Sequence, residues 1–491
     1  MTLHSFVTPV RFALLFCMVS SALYGQTSGN PIGSAVPKRP VHVYYADPVN
    51  GSMNGDGSAA RPWSTLSSVI AANLINGQDK TSGVVHAGDL LYLLSGNHGS
   101  IHLKAGTNNC FNTDFISIQA APGNVPILDQ MLIEGASKWV FRGLTISHTT
   151  PPNTSRLILA RFNSCDNIIF DKNIVCSQTD VRSWGPSDWA AMAAFYGIYF
   201  DGTSSTITNN AVTNVENGVY IGGDGLILRS NAVDYFASDG IDFSANNSII
   251  QYNNVTNHYG QWNDGQHHDG IQGWSVNGSL GSNIVIDSNI VMASTGVYPA
   301  IPPQPTGIGD DYLQGLSIFD PPWTNVTVTN NVVAAAAYHG LSMYGITNSV
   351  IANNTVVNQS TNTDFIAWLG VFSVSGVPMS NVIVRNNIAN NFKVLNPGAV
   401  VDDHNMSFTY NSLYTWSNNS WSNVSSNIVV SDPKTVFVKY QPSTTGYDFN
   451  LIKGSPAIGA GNAASAPVLD ILKRTRNPLS IDLGAYSYVG N

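Results

Sequence analysis

Short apolar and polar runs alternate along most of this chain, and two marks recur in near-constant phase. The first is a five-residue unit: Tyr196-Gly197-Ile198-Tyr199-Phe200, Asn217-Gly218-Val219-Tyr220-Ile221, Asp239-Gly240-Ile241-Asp242-Phe243, Asp269-Gly270-Ile271-Gln272-Gly273, Gln314-Gly315-Leu316-Ser317-Ile318 and His339-Gly340-Leu341-Ser342-Met343. Its aliphatic residue and the mostly apolar residue two places on share one face, so the side chain between them points the other way. The second mark is asparagine: Asn209-Asn210, Asn231, Asn253-Asn254, Asn289, Asn330-Asn331, Asn353-Asn354 and Asn386-Asn387. Counting the last Asn of each group, the intervals are 21, 23, 35, 42, 23 and 33 residues. A short common period with occasional insertions signals stacked repeats. The runs of Ile, Val, Thr and Phe between the marks read as strands, and helical periodicity is nearly absent. The pattern predicts an all-β solenoid, a parallel β-helix. Asn is expected at one corner of every coil, in left-handed backbone, its amide bonding the amides above and below.

Composition narrows the partners. The chain of 491 residues is long enough for a large core, only 10% of it is charged, and the net charge is −9. The 21 Lys plus Arg are too thinly spread to build a basic face, which argues against nucleic acid. Arg11 followed by the apolar run Phe12–Val19 and small residues to Gly25 reads as a signal peptide over 1–25, so a secreted protein, extracellular or periplasmic, is expected. No later stretch reads as a membrane span, so no membrane partner is expected. Removing the signal leaves Cys110, Cys165 and Cys176, which allow one disulfide, Cys165 with Cys176, or three buried thiols.

Particular segments carry a resemblance. Tyr45-Ala46-Asp47-Pro48, Pro62-Trp63-Ser64-Thr65-Leu66, Gly88-Asp89-Leu90-Leu91-Tyr92-Leu93 and Ser95-Gly96-Asn97-His98 open the chain. Ser455-Pro456-Ala457-Ile458-Gly459-Ala460-Gly461 and Asp482-Leu483-Gly484-Ala485-Tyr486 close it. These resemble the ends of secreted right-handed parallel β-helix proteins of the pectin-lyase-like superfamily. The resemblance implies an all-β right-handed solenoid with an N-terminal cap and a C-terminal tail: a polar leader over 26–43, then a single domain over 44–491. A capping helix is expected within 66–80, and insertions at 178–195, 258–268 and 293–312 interrupt the coils. That superfamily includes polysaccharide lyases, glycoside hydrolases, uronan epimerases and adhesins, so fold alone selects no chemistry.

Chemistry is expected where the outward columns change character. With coils ~4.8 Å apart, Asp239 stands one coil from Asp269 and shares a strand with Asp242. Such crowding raises a carboxyl pKa unless a cation intervenes. His267 and His268 lead into Asp269, and Asp310-Asp311 precede Gln314. The catalytic candidates are therefore Asp239, Asp242, His268, Asp269 and Asp311. Candidates for holding sugar are Tyr199, Tyr220, Tyr259, Trp262, His267, Gln272, Trp274, Tyr312, Gln314 and His339. Asp239, Asp242 and Asp269 are also the oxygen-donor set that leaves Ca²⁺ open as a cofactor. Turn-entry Asp residues are often purely structural, and aromatics stack along solenoids without function, so the cluster carries the argument and no single residue does.

No lysine lies between Lys172 and Lys393. An acidic cleft without lysine suits a neutral glycan better than a bare uronan. The leading expectation is a secreted polysaccharide-cleaving hydrolase with one protonated and one ionised carboxyl. The alternatives are a uronan lyase or epimerase with a His or Tyr base and bound Ca²⁺, and a non-catalytic glycan-binding or adhesive protein. Monomer and homotrimer both remain open.

Overall fold

The computed structural model describes residues 39–490 except 78–82, 107–109, 149–156, 261–266, 297–311, 360–365, 375, 378, 395–399, 409–425 and 442–446. The expected signal peptide and most of the expected polar leader lie outside the described residues, as do Trp262, Asp310 and Asp311.

The chain winds as a right-handed parallel β-helix in which every strand pairing of the main sheet is parallel. Eight successive strands of one face position the site: β1 (Ala194–Thr203), β2 (Ala211–Asp224), β3 (Ile241–Asn246), β4 (Asp269–Trp274), β5 (Gln314–Asp320), β6 (His339–Tyr344), β7 (Trp368–Phe372) and β8 (Asn391–Val394). Val219, Ile241, Ile271, Leu316 and Leu341 stand in register and are fully buried, as the five-residue unit requires. The glycine at the second apolar position, Gly273, has a packing cause. A Cβ there would lie 2.2 Å from the Phe243 ring, which fills the space from the coil below.

The asparagine corner is a continuous hydrogen-bond ladder. Asn173, Asn210, Asn231, Asn253, Asn289, Asn331, Asn354, Asn387 and Asn405 follow one another. Each Nδ2 up to Asn387 donates to the next Oδ1 at 2.9–3.0 Å, and each backbone N–H donates to that same oxygen. Two details correct the sequence reading. The left-handed residue is the one before the ladder Asn: Asn209, Ser230, Tyr252, Ser288, Asn330, Asn353 and Asn386 have φ of 54–59°. Of the Asn253-Asn254 pair the ladder member is Asn253, whereas Asn254 begins the next strand and is exposed.

The N-terminal end is covered by a helix shorter than the expected 66–80. Helix α1 (Leu66–Ala71) is capped by the Thr65 hydroxyl, which accepts from Ser68 N, and it stops before Asn73 at φ 51°. It buries Leu66 and Val69 against the first coils. The C-terminal tail lies along the outside of the asparagine corner. Phe437, Phe449, Leu451 and Leu483 form a second core with Val332, Val357, Ile388 and Met406. Arg476 donates to Asn330 Oδ1 at 2.7 Å and to Gly484 O at 2.9 Å. Cys110, Cys165 and Cys176 are buried thiols with no disulfide among them, the second of the two sequence alternatives.

Candidate functional site

Two outward columns of these eight strands lie side by side across the bend made by the glycine column. A Cβ at Gly218, Gly240 or Gly315 would come within 2.3 Å of a neighbouring backbone oxygen or valine methyl, so only glycine lets the chain turn there. One column runs Tyr196, Asn217, Asp239, Asp269, Gln314, His339; the other runs Tyr199, Tyr220, Asp242, Gln272, Ser317, Ser342, Gly370, Lys393.

The columns converge on two buried carboxyls. Asp242 is 2% exposed and its Oδ2 accepts from the Tyr196 hydroxyl at 2.7 Å. Burial pushes its pKa up to about 7, and the charge of Asp269 adds to this, while the Tyr196 hydrogen bond and nearby His267 act in the opposite direction. Asp269 is fully buried, and burial raises it as well, against the pull of His267. His267 Nδ1 stands 2.9 Å from Asp269 Oδ2 with its side chain 53% exposed. A solvent-facing imidazole is thus held by a carboxylate behind it, the arrangement that fixes tautomer and orientation in a general base. Asp239, partly exposed, turns its Oδ1 to the Asp269 backbone N–H at 2.7 Å and so locks the entry to β4. Asp242 Oδ1 and Gln314 Oε1 are buried oxygens with no protein hydrogen-bond partner among the described residues, while the Ser317 hydroxyl stands against Asp269 and favours its ionised form.

The remaining candidates separate cleanly. Tyr199 stacks on Tyr220 at 4.5 Å, and Tyr220 stacks on Trp274 at 5.7 Å. Ser244 on the intervening coil accommodates that pairing and shares a 2.6 Å hydrogen bond with the Tyr220 hydroxyl. Gln272 is half-buried beside this platform, and His339 is half-buried with Nδ1 2.8 Å from Ser342 Oγ. Burial, Lys393 and His267 push the His339 pKa down to about 3. Tyr312 packs partly buried against the main core.

Three readings are corrected. Tyr259 is no platform: helix α2 (Pro186–Met192) lays Trp189 on it at 4.7 Å, closing a small separate core with Trp184 and Tyr235. His268 is fully buried below the site, its ring 4.8 Å from that of His258, so it does not face a substrate. His258 is 2% exposed; burial holds it neutral and its Nε2 faces Ala237 O at 3.2 Å. The Ca²⁺ set does not fit the geometry either. Asp239, Asp242 and Asp269 each commit one oxygen to a proton donor or imidazole, and among the described residues no three His, Cys, Asp or Glu side chains are arranged to share a metal ion.

Sequence reasoning missed Tyr196 as a partner of Asp242. The available signal was a tyrosine two coils below an aspartate in the adjacent column, a span of about 10 Å that only a long side chain crosses.

Residues 196–376, which include Tyr196, Asp239, Asp242, His267, Asp269 and His339, match the family model for a right handed beta helix region. No curated protein matches the chain. Among solved structures, it is similar to pectate lyase Pel9A, with 14% identity, 92% of this chain and 97% of that chain covered, and a TM-score of 0.45. The XylC complex with xylose gives 9% identity, 91% and 98% coverage, and 0.49. The A-module of Azotobacter vinelandii mannuronan C-5 epimerase AlgE6 gives 13% identity, 73% and 90% coverage, and 0.37.

Proposed function

For a chain with the right-handed parallel β-helix fold of the pectin-lyase-like superfamily, we propose glycoside hydrolysis of an extracellular polysaccharide, carried out by Asp242 and the His267–Asp269 pair. The observation that carries the reading is a buried carboxyl with a pKa near 7 next to a solvent-facing imidazole braced by a second carboxylate. Asp242, protonated, gives its proton to the glycosidic oxygen as the C–O bond breaks. His267 takes a proton from the water that attacks the anomeric carbon, and Asp269 supports the imidazolium that forms. Solvent returns the proton to Asp242. A hydroxyl of a neutral sugar would supply a donor to the open oxygen of Gln314. Tyr199, Tyr220 and Trp274 would hold neighbouring rings by their apolar faces.

A second reading rests on the same imidazole. His267 could abstract a carbon-bound proton next to a uronate carboxylate, giving elimination or epimerisation. The buried pair of carboxyls opposes an anionic sugar at this point, which places hydrolysis first.

Product chemistry on a polysaccharide panel separates the readings. Hydrolysis yields new reducing ends without the ultraviolet absorbance of an unsaturated uronate, and its rate survives a chelator. Elimination yields both signals.

Two variants probe the parts. Tyr196 positions Asp242 and favours its ionised form, so Tyr196→Phe should move the alkaline limb of the kcat/KM profile upward by roughly one pH unit. An unmoved limb would contradict Asp242 as the titrating acid. Trp274→Ala should raise KM about tenfold with kcat nearly unchanged, the pattern of lost uniform binding; steady-state kinetics on the substrate found above checks it.

A further inference from the structure

The same ladder carries a second cluster, which begins at Phe319, 5.6 Å from the His267 ring, and runs away from the acidic centre to β8. Phe319, Tyr344 and Phe372 follow one another on β5, β6 and β7, with ring centroids 5.6 Å and then 4.5 Å apart. Lys393 on β8 places its ammonium 4.5 Å from the Trp368 ring and 4.9 Å from the Phe372 ring. Trp368 is anchored by its indole N–H, which donates to Ser342 Oγ at 3.1 Å, and the same oxygen holds His339. Gly370 makes the closure possible. A Cβ there would lie 2.4 Å from the Phe372 ring and 3.0 Å from Trp368, so any side chain would push both rings off the strand. Lys393, Trp368 and Phe372 are more than nine-tenths buried, while Tyr344, Phe319 and His339 keep partial exposure. Burial brings the Lys393 pKa down to about 8, and its charge helps keep His339 neutral.

Lys393 stands in the same outward column as Asp242, five register steps along it. At ~4.8 Å per step the two are about 24 Å apart along the axis. This face of the solenoid therefore has an acidic centre and, at a fixed distance along the axis, a cation set beside aromatic faces.

We propose that this cluster is a distal subsite for a sugar unit bearing an anionic group, a carboxylate or a sulfate, with Tyr344 and Phe319 against the sugar's C–H face and Lys393 reading the charge. The inference rests on the proposed glycan-cleaving function and deepens it. The polymer is neutral where it is cut and acidic where it is read, so the enzyme would select chains that carry acidic units at a distance from the cleaved bond.

Affinity electrophoresis of the full chain tests this, with wild type and Asp242→Asn run through gels holding matched polymers. The pairs are low-ester against high-ester pectin, and carboxymethyl- against hydroxyethyl-cellulose. The expected result is stronger retardation by the acidic member of at least one pair, about threefold to tenfold in apparent affinity, weakening with salt. Lys393→Met, which keeps the aliphatic stem, should abolish that preference, Lys393→Arg should keep most of it, and Tyr344→Ala should weaken retardation by both members. An acidic preference unchanged in Lys393→Met, or no preference in wild type, overturns the subsite. If a neutral polymer is still cleaved by wild type and not by Asp242→Asn, the proposed hydrolysis stands without it. No retardation and no cleavage on any polymer overturns both.

Discussion

Asp242→Asn is expected to lower kcat by about a thousandfold and, above neutral pH, to make the protein more stable. The loss of turnover follows from removing a general acid, whose contribution is typically ~10²–10⁴-fold. The gain in stability follows from the direction of the pKa shift. Asp242 has the ordinary aspartate pKa of 3.8 when unfolded, and burial pushes it up to about 7 when folded. Below pH ~4 both states hold the proton and the carboxyl costs nothing. Between these values the unfolded chain releases the proton while the folded chain keeps it, so stability falls as pH rises. Above about 7 the folded protein carries the full cost of a buried charge, of order 4 kcal/mol from the shift alone. Asparagine never charges and still offers an oxygen to the Tyr196 hydroxyl. Thermal unfolding of the two proteins should therefore give similar midpoints near pH 4 and a higher midpoint for the variant near pH 8. A wild-type advantage that persists at pH 8 would contradict a protonated, buried Asp242.

The second large effect concerns the fold. Asn289→Ala should destabilise the solenoid by about 3–5 kcal/mol, the sum expected when several buried groups lose their partners together. Asn289 Oδ1 accepts from both the backbone and the side-chain nitrogen of Asn253, and its Nδ2 donates to Ile250 O and to Asn331 Oδ1. Alanine orphans these groups in a corner that is fully buried. By contrast Asn254→Ala, one position past the neighbouring ladder residue and exposed, should stay within ~0.5 kcal/mol. Chemical denaturation of both variants makes the comparison, and equal losses would contradict the ladder as the main lock on the corner.

The contrast between Asn253 and Asn254 also marks how far the sequence could be read. Repetition made the fold and the facing of its columns legible, because each inward aliphatic and each corner amide recurs at every coil. Register within one coil was less secure, since an Asn-Asn pair does not say which amide enters the ladder. The neighbouring left-handed residue decides that, and Tyr252 fills the role where asparagine usually does. The crowding of Asp239, Asp242 and Asp269 was legible from register alone. Their separate partners were not, because those depend on where long side chains end: the Tyr196 hydroxyl two coils away, the His267 ring doubling back on Asp269, the Trp189 ring lying over Tyr259. Lys393 was visible only as the end of a lysine-free stretch. Its place in the same outward column as Asp242 appears once the insertions between β4 and β8 are taken out by the strand pairing.

The most direct measurement is cleavage of the responsive polysaccharide in water enriched in heavy oxygen, with the products weighed before the new ends exchange with solvent. Hydrolysis through Asp242 and His267 should place one solvent oxygen in the products for every bond cut, and Asp242→Asn should abolish the signal. Products that carry no solvent oxygen, with a mass short by the elements of water and a new double bond, would contradict the account and make His267 the base of an elimination.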